Sequence, residues 1–122
     1  MILDHIGLGV DDYETAKQFY SKALAALNIR LLMEIDNAAG FGKQDKPEFW
    51  LGARTGVTQP VHIAFVAENR EQVRNFYKTA IAAGGKDNGP PGLREIYHPH
   101  YYGAFVLDPN GNNVEAVCHH PE

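Results

Sequence analysis

The sequence predicts an α+β fold made of two tandem copies of a strand–helix–strand–strand–strand module. Three observations lead to this prediction: a gapless internal repeat, one amphipathic helix pattern in each copy, and short strand patterns separated by turn residues. The two copies cover residues 1–56 and 57–122 of the 122-residue chain. We therefore expect a single domain that consists of these two modules.

The repeat is visible in residue chemistry as well as in hydrophobicity. One constant offset places His5-Ile6 on His62-Ile63 and Phe19-Tyr20 on Phe76-Tyr77. Alanine-rich stretches align by chance, but a gapless alignment that also matches a histidine and an aromatic pair is much rarer. The match indicates two copies of one structural unit.

Each copy opens with a short apolar strand, Leu3–Val10 in the first and Val61–Ala67 in the second. A helix follows each strand, because apolar residues then recur at i, i+3, i+4 and i+7. Asp12 and Asn69 are the predicted N-caps, since each offers a side-chain acceptor just before a helical stretch. The first helix is predicted to end near Asn28, and the second at the Gly-Gly pair that follows it.

Shorter strands are predicted after each helix. The segment Gly85–Gly92 is predicted to be a loop, because it is rich in glycine and proline. Asp108–Gly111 matches a type I turn, with Asp first, Pro second and Gly fourth. The six predicted strands are Leu31–Ile35, Ala38–Lys43, Glu48–Ala53, Leu93–His98, Tyr101–Leu107 and Asn113–His119.

Composition excludes several classes of protein. The chain is 44% hydrophobic and 21% charged, which is typical of a globular domain and not of a disordered one. The net charge of −4, without a basic stripe, argues against binding to nucleic acid or an anionic membrane. The one cysteine, Cys118, rules out an intrachain disulfide. Without a signal peptide or a bilayer-length apolar run, we expect a cytoplasmic protein that acts on small molecules.

Three side chains suit a metal site. Strand alternation places His5 on the face opposite the apolar side chains of its strand, and His62 on the equivalent face of the second copy. Glu115 lies in an apolar strand, where a carboxylate must be paired, protonated or bound to a metal. If the modules pair about a pseudo-twofold axis, the histidines face each other and a catalytic divalent metal fits. Alternatively, the histidines are structural and Glu115 pairs with Arg94 or a lysine.

Three segments together resemble a known family: Asp4–Val10 with Phe19-Tyr20, then Val61–Val66, then Ala104–Glu115. They are similar to the vicinal-oxygen-chelate superfamily, which contains glyoxalase I, extradiol dioxygenases, fosfomycin-resistance thiol transferases and bleomycin-resistance proteins. The resemblance implies paired βαβββ modules that form a curved mixed sheet, a half-barrel around a divalent metal, with the helices on its convex face.

The resemblance also implies a site and a chemistry. His5, His62 and Glu115 fall on metal-ligand positions, and the metal, whether Zn, Ni, Mn or Fe, would bind adjacent oxygens of the substrate and act as a Lewis acid. The implied function is a lyase or isomerase that acts on a small oxygen-rich substrate through a metal-stabilised enolate, with Glu115 or a metal-bound water as base. An extradiol-type dioxygenase and a metal-free, drug-sequestering binding protein are the alternatives.

Departures from the family pattern leave the reaction open. The glutamate that is the fourth ligand of glyoxalase I falls on Trp50, although Glu48 lies two residues earlier on the same strand face. The acid–base tyrosine of extradiol dioxygenases falls on Phe105. The threonine of the fosfomycin-modifying enzymes falls on Gly7. No subfamily pattern is complete in this sequence.

Four side chains are candidates for substrate binding. Trp50 and Phe105, with Phe41, would form an aromatic wall for an apolar or planar part of the substrate. Tyr101 would donate a hydrogen bond to a substrate oxygen, and Arg94 would pair with a carboxylate or phosphate. The alternatives are a core tryptophan, an ordinary strand tyrosine and a solvated arginine.

A homodimer is the expected assembly, because short chains that resemble this family usually dimerise. Some of them exchange modules, in which case His5 of one chain would meet His62 and Glu115 of another.

Overall fold

The computed structural model describes residues 3–53 and 60–122. The predicted fold class is confirmed, because each module has one strand, one helix and three further strands. The predicted module boundary, between residues 56 and 57, lies outside the described residues. In chain order the elements are β1 (Ile6–Val10), α1 (Tyr13–Ala23), a 3₁₀ helix (Leu24–Leu27), β2 (Arg30–Ile35), β3 (Ala38–Gly42), β4 (Phe49–Ala53), β5 (His62–Val66), α2 (Arg70–Ala82), β6 (Lys86–Leu93), β7 (Tyr102–Leu107) and β8 (Asn113–Cys118).

Each module forms its own four-stranded mixed sheet. The strand order is β1-β4-β3-β2 in the first sheet and β5-β8-β7-β6 in the second, and neither sheet closes into a barrel. The pairs β1–β4 and β5–β8 are parallel, and the other pairs are antiparallel. The opening strand of each module is therefore an edge strand that pairs with the last strand of the same module.

The helix termini follow the sequence signals. Asp12 and Asn69 each accept a hydrogen bond from the backbone N–H three residues later, as N-caps do. A 3₁₀ turn extends α1 to Leu27, after which Asn28 adopts a left-handed conformation with φ of 61°. Gly84, with φ of +106°, follows α2. Neither helix of the described ranges has the length and apolarity needed to span a membrane.

The predictions for Gly85–Gly92 and Leu93–His98 are wrong. The structure has a strand, β6, over Lys86–Leu93, and the chain turns immediately after it. Prolines are compatible with β6 because it is the edge strand of its sheet, where missing backbone donors disturb no inner ladder. The pairing of β6 with β7 is irregular around Gly89 and Gly92, so this part of the strand does not follow a regular hydrogen-bond ladder.

The core lies between the helices and the sheets. Helix α2 packs against β6, β7 and β8, and it also contacts α1. The ring of buried Tyr20 packs edge-on against Phe19, at 5.0 Å between centroids, and lies tilted against Phe49 at 4.9 Å. Phe49 in turn contacts Phe65 of the second module at 5.3 Å. The two modules thus share one aromatic core, which fixes the position of β1 relative to β5.

Candidate metal centre

Glu115 is a buried carboxylate in the middle of β8, with no exposed surface. Its Oε1 lies 2.8 Å from Nε2 of His62, and its Oε2 accepts a hydrogen bond from the hydroxyl of Tyr101. An unpaired carboxylate in this position would be strongly unfavourable. The hydrogen bonds to these two partners offset the free-energy cost of burying it. Neither Arg94 nor a lysine pairs with Glu115 among the described residues.

The register of the strands brings Glu115, His62 and Tyr101 together. β8 is the inner neighbour of both β5, which carries His62, and β7, in which Phe105 pairs directly with Glu115. Gly103 of β7 leaves room above the carboxylate, because a Cβ there would lie 3.2 Å from both Glu115 Oε2 and the ring of Tyr101. Tyr101 therefore reaches Glu115 across a position that has no side chain.

Tyr101 is held as a neutral donor. Burial raises the pKa of its hydroxyl, and the hydrogen bond and charge of Glu115 raise that pKa further. Its ring packs edge-on against Tyr97 at 5.0 Å and against His119 at 5.2 Å. His119 is exposed, and its ring also contacts His98 at 5.4 Å.

His5 lies just before β1 and is paired with its neighbour. Its Nδ1 is 2.8 Å from a carboxylate oxygen of Asp4, whose other oxygen accepts from the ammonium group of Lys46. The hydrogen bond from Lys46, and then that from His5, lowers the pKa of Asp4. Sequence reasoning missed Asp4 as a partner, although its adjacency to His5 is a usable signal.

His5 and His62 line one cavity of about 440 Å³, and Glu48 lies on its wall as well. Within residues 3–53 and 60–122 of a single chain, no three His, Cys, Asp or Glu side chains are grouped closely enough to hold a metal ion. The structure thus brings His62 and Glu115 into contact and leaves His5 on the same cavity with a different partner. The remaining walls are mostly apolar: Leu3, Ile6, Ile29, Phe41, Phe49, Ile63, Ala64, Phe65 and Val66.

Trp50 occupies its strand in regular register. It pairs with Gly7 of β1 and with Gly40 of β3, so no slip exchanges it with Glu48. Its ring covers Gly40, where a Cβ would come within 2.9 Å of it, and it lines a second cavity of about 590 Å³ that His5 also borders. Phe41, the next residue along β3, lies on the opposite face and packs against Phe49.

Phe105 and Arg94 lie beside the His62–Glu115 pair. The Phe105 ring is 6.1 Å from the His62 ring, and the Arg94 guanidinium lies 5.3 Å from the centroid of Phe105. Tyr102 points to the other face of β7, where Arg70 lies over its ring at 5.0 Å. Two predicted binding residues, Tyr101 and Phe105, thus lie beside Glu115, and Arg94 lies over Phe105, whereas Trp50 belongs to the first sheet.

Comparison with known proteins identifies the family of the chain. The family model described as Glyoxalase/Bleomycin resistance protein/Dioxygenase superfamily matches residues 2–116. A search of curated proteins finds no significant match.

Solved structures show the same fold. The chain is similar to a glyoxalase/bleomycin resistance protein from Albidiferax ferrireducens, with 27% identity, a TM-score of 0.85, and 99% of this chain and 100% of that chain covered. A possible glyoxalase from Bacillus cereus is 25% identical, with a TM-score of 0.70 and coverage of 97% and 99%.

A third similar structure is a mutant of glyoxalase I from Zea mays. It is 25% identical with a TM-score of 0.74, and the match covers 94% of this chain but only 46% of that longer chain. The match of the family model over nearly the full length, together with the shared fold, settles membership. The chain belongs to the glyoxalase/bleomycin resistance protein/dioxygenase superfamily.

Proposed function

We propose that this protein is a divalent-metal-dependent lyase or isomerase that acts on a small oxygen-rich substrate, with His5, His62 and Glu115 as the metal ligands. The observation that carries the proposal is the 2.8 Å contact between His62 Nε2 and Glu115 Oε1. Two side chains of ligand type converge there at the edge of a cavity, and one of them is a fully buried carboxylate.

The donor set fits a divalent ion. Imidazole nitrogen and carboxylate oxygen are accepted by Zn, Ni, Mn and Fe, and catalytic sites keep positions free for the substrate. His62 is half exposed on the cavity side, so its ring is accessible to an ion. Such an ion would supply a Lewis acid for two adjacent substrate oxygens.

Glu115 and its neighbours would perform the proton transfer. With Oε1 directed at His62, the free lone pairs of Oε2 are oriented by the hydroxyl of Tyr101. Glu115 would act as the base from this position, while the Tyr101 hydrogen bond keeps the carboxylate in place. The ring of Phe105, which lies 6.1 Å from that of His62, would shield the reacting atoms from water.

We propose that the site is completed in a homodimer. His5 is more than half exposed and lies apart from Glu115, with Asp4 as its partner. In a dimer that exchanges modules, His5 of one chain would meet His62 and Glu115 of the other, as resemblance to the family implies.

Metal content tests the proposal directly. The native protein, analysed by inductively coupled plasma mass spectrometry, should contain about one divalent ion per site, and His62→Ala or Glu115→Gln should lower that content at least roughly tenfold. His120→Ala is the matched control, because His120 is exposed and lies outside the proposed ligand set. Native protein that carries no divalent metal and takes up none on dialysis would refute the proposal.

A metal-free binding protein is the second candidate. It is favoured by the fact that His5 and His62 both already have carboxylate partners, and by Trp50 at the fourth-ligand position. His62→Ala distinguishes the two: a binding protein keeps its ligand affinity when this residue is lost, whereas the proposed enzyme loses activity.

An extradiol-type dioxygenase is a third possibility for the same ligand set. The identity of the bound metal and the consumption of oxygen in the presence of catechols separate it from a redox-inactive lyase or isomerase. Assays for thiol adducts of small carbonyl compounds then test the glyoxalase-like reaction. We expect thiol-adduct or isomerisation activity without oxygen uptake, because Phe105 replaces the tyrosine that the dioxygenases use.

A further inference from the structure

Arg94 carries a charge that no carboxylate balances in the described part of the chain. Arg74 of the same module illustrates the contrast, because it donates to the carboxylate of Glu122. Arg94 instead donates from Nη2 to the backbone carbonyl of Pro90, at 2.8 Å. A guanidinium has five N–H donors, so most of its capacity is available to a ligand.

The guanidinium is held in one place. It lies over the Phe105 ring at 5.3 Å from the centroid, in a cation–π contact, and the hydrogen bond to Pro90 fixes its rotation. Two glycines provide the space: a Cβ on Gly92 would lie 3.0 Å from Nη1, and a Cβ on Gly89 would lie 3.2 Å from Nη2. The glycine-rich strand β6 therefore forms a bare surface against which the guanidinium lies.

The Arg94 guanidinium lies next to the candidate metal centre. Phe105 separates Arg94 from His62, and its ring contacts both side chains. Arg94 is thus one ring away from His62, the partner of Glu115, without pairing with that carboxylate.

We propose that Arg94 is an anion-binding subsite that holds a carboxylate or phosphate group of the substrate. The planar fork of a guanidinium matches two oxygens of either group, and its fixed orientation reduces the entropy lost on binding. This inference rests on the proposed function, and it assigns the substrate class. The substrate is a small anion whose charged group lies at Arg94 and whose adjacent oxygens lie at His62 and Glu115.

The test uses full-length, metal-free protein, so that it does not depend on the proposed metal chemistry. Inorganic phosphate and acetate are titrated separately at constant ionic strength, with chloride as the reference anion. Binding is followed by ¹H–¹⁵N NMR at the Arg94 side chain and at the amides of Gly89, Gly92 and Phe105. The two arms show whether the subsite prefers phosphate or carboxylate.

We expect saturable shifts at these groups with at least one of the two anions. Arg94→Gln should weaken that binding about tenfold or more, and Arg94→Lys should weaken it less, because a lysine keeps the charge but loses the fork. Arg74→Gln, which removes an arginine elsewhere in the same module, should leave the affinity unchanged.

Two results would overturn the inference. One is the absence of saturable shifts with either anion in the wild-type protein, and the other is equal affinity in wild type and Arg94→Gln. Metal analysis of the native protein, before its metal is removed for the titration, separates this outcome from failure of the proposed function. If the native protein carries no divalent metal and takes up none on dialysis, while phosphate still binds through Arg94, the subsite is kept and the metal-dependent reaction is discarded.

Discussion

The hydroxyl of Tyr20 in α1 donates a 2.5 Å hydrogen bond to Oδ2 of Asp108, at the start of the β7–β8 turn. Both side chains are buried, and they belong to different modules. Oδ1 of Asp108 also accepts from the backbone N–H groups of Asn110 and Asn112. One carboxylate therefore organises the turn of the second module and holds it against the helix of the first.

Tyr20→Phe should destabilise the protein by about 1–3 kcal/mol, because it removes a donor from a buried carboxylate without changing the shape of the ring. Urea unfolding followed by circular dichroism measures the loss. Tyr77→Phe is the matched control: the Tyr77 hydroxyl donates to Asp87 at 3.0 Å in an exposed setting, so we expect only a few tenths of a kcal/mol. Equal losses in the two variants would contradict the role given to Tyr20.

The same pair predicts a decline in stability at alkaline pH. Burial raises the pKa of Tyr20 well above its usual value of 10.0, and the charge and hydrogen bond of Asp108 raise it further. Its contribution to stability is therefore complete below pH 10 and is lost as the pH rises toward the folded-state pKa, by about 1.4 kcal/mol per pH unit.

Urea titrations at pH 8, 10 and 11 on wild type and Tyr20→Phe measure this effect. Lysines and other tyrosines titrate in both proteins, so the difference between them isolates Tyr20. We expect the gap in unfolding free energy to narrow above pH 10. A gap that stays constant across this range would show that Tyr20 does not titrate as proposed.

The modules themselves were predictable because their signals are local and occur twice. Residues on either side of Asp108–Gly111 alternate as strands, and the turn forms as predicted, with Gly111 donating to the carbonyl of Asp108 at 3.0 Å. The bond between Tyr20 and Asp108 was not predictable, since it joins residues 88 positions apart. β6 was missed because its prolines and glycines are local breakers that an edge strand tolerates.

In the candidate site, too, some features could be predicted from the sequence and others could not. Tyr101 and Phe105, two of the predicted substrate-binding residues, lie beside Glu115, the first through a hydrogen bond and the second through the register of β7 and β8. Strand alternation could not show that His62 bonds directly to Glu115, since that depends on the parallel register of β5 and β8. Nor could it show that Arg94 lies over Phe105, because β6 was not recognised as a strand.

Tyr101→Phe should destabilise the metal-free protein by about 1–3 kcal/mol, because it leaves one oxygen of buried Glu115 without a donor. Thermal and urea unfolding after removal of metal with a chelator measure the change. Tyr97→Phe is the control, since Tyr97 packs on Tyr101 but its exposed hydroxyl makes no hydrogen bond among the described residues. An equally large loss of unfolding free energy in Tyr97→Phe would mean that ring packing, and not the hydrogen bond to Glu115, causes the effect.

Two glycines of the first sheet should respond differently to alanine. At Gly42 a Cβ would lie 2.2 Å from the carbonyl oxygen of Lys46, so the backbone must move, and we expect a loss of about 1–3 kcal/mol. At Gly7 the nearest atom, in Trp50, is 3.8 Å away, an ordinary contact, so Gly7→Ala should cost less than about 1 kcal/mol. Denaturant unfolding of both variants tests the ranking, and a reversed order would contradict it.

Mixing His5→Ala with His62→Ala tests whether the proposed metal site lies between chains. Neither variant alone should bind metal at the site. If the ligands come from two chains, a mixed dimer contains one intact site, formed by His5 of one chain and His62 of the other, and one site that lacks both histidines.

Co-refolding equal amounts of the two variants should therefore restore about one quarter of the wild-type metal content, since half of the dimers are mixed and each has one intact site out of two. Mass spectrometry of the native protein gives the dimer composition, and elemental analysis gives the metal. No restoration in a sample that contains mixed dimers would place all three ligands within one chain, and His5 would then have to leave Asp4 to approach Glu115. A monomer at micromolar concentration would exclude the shared site altogether.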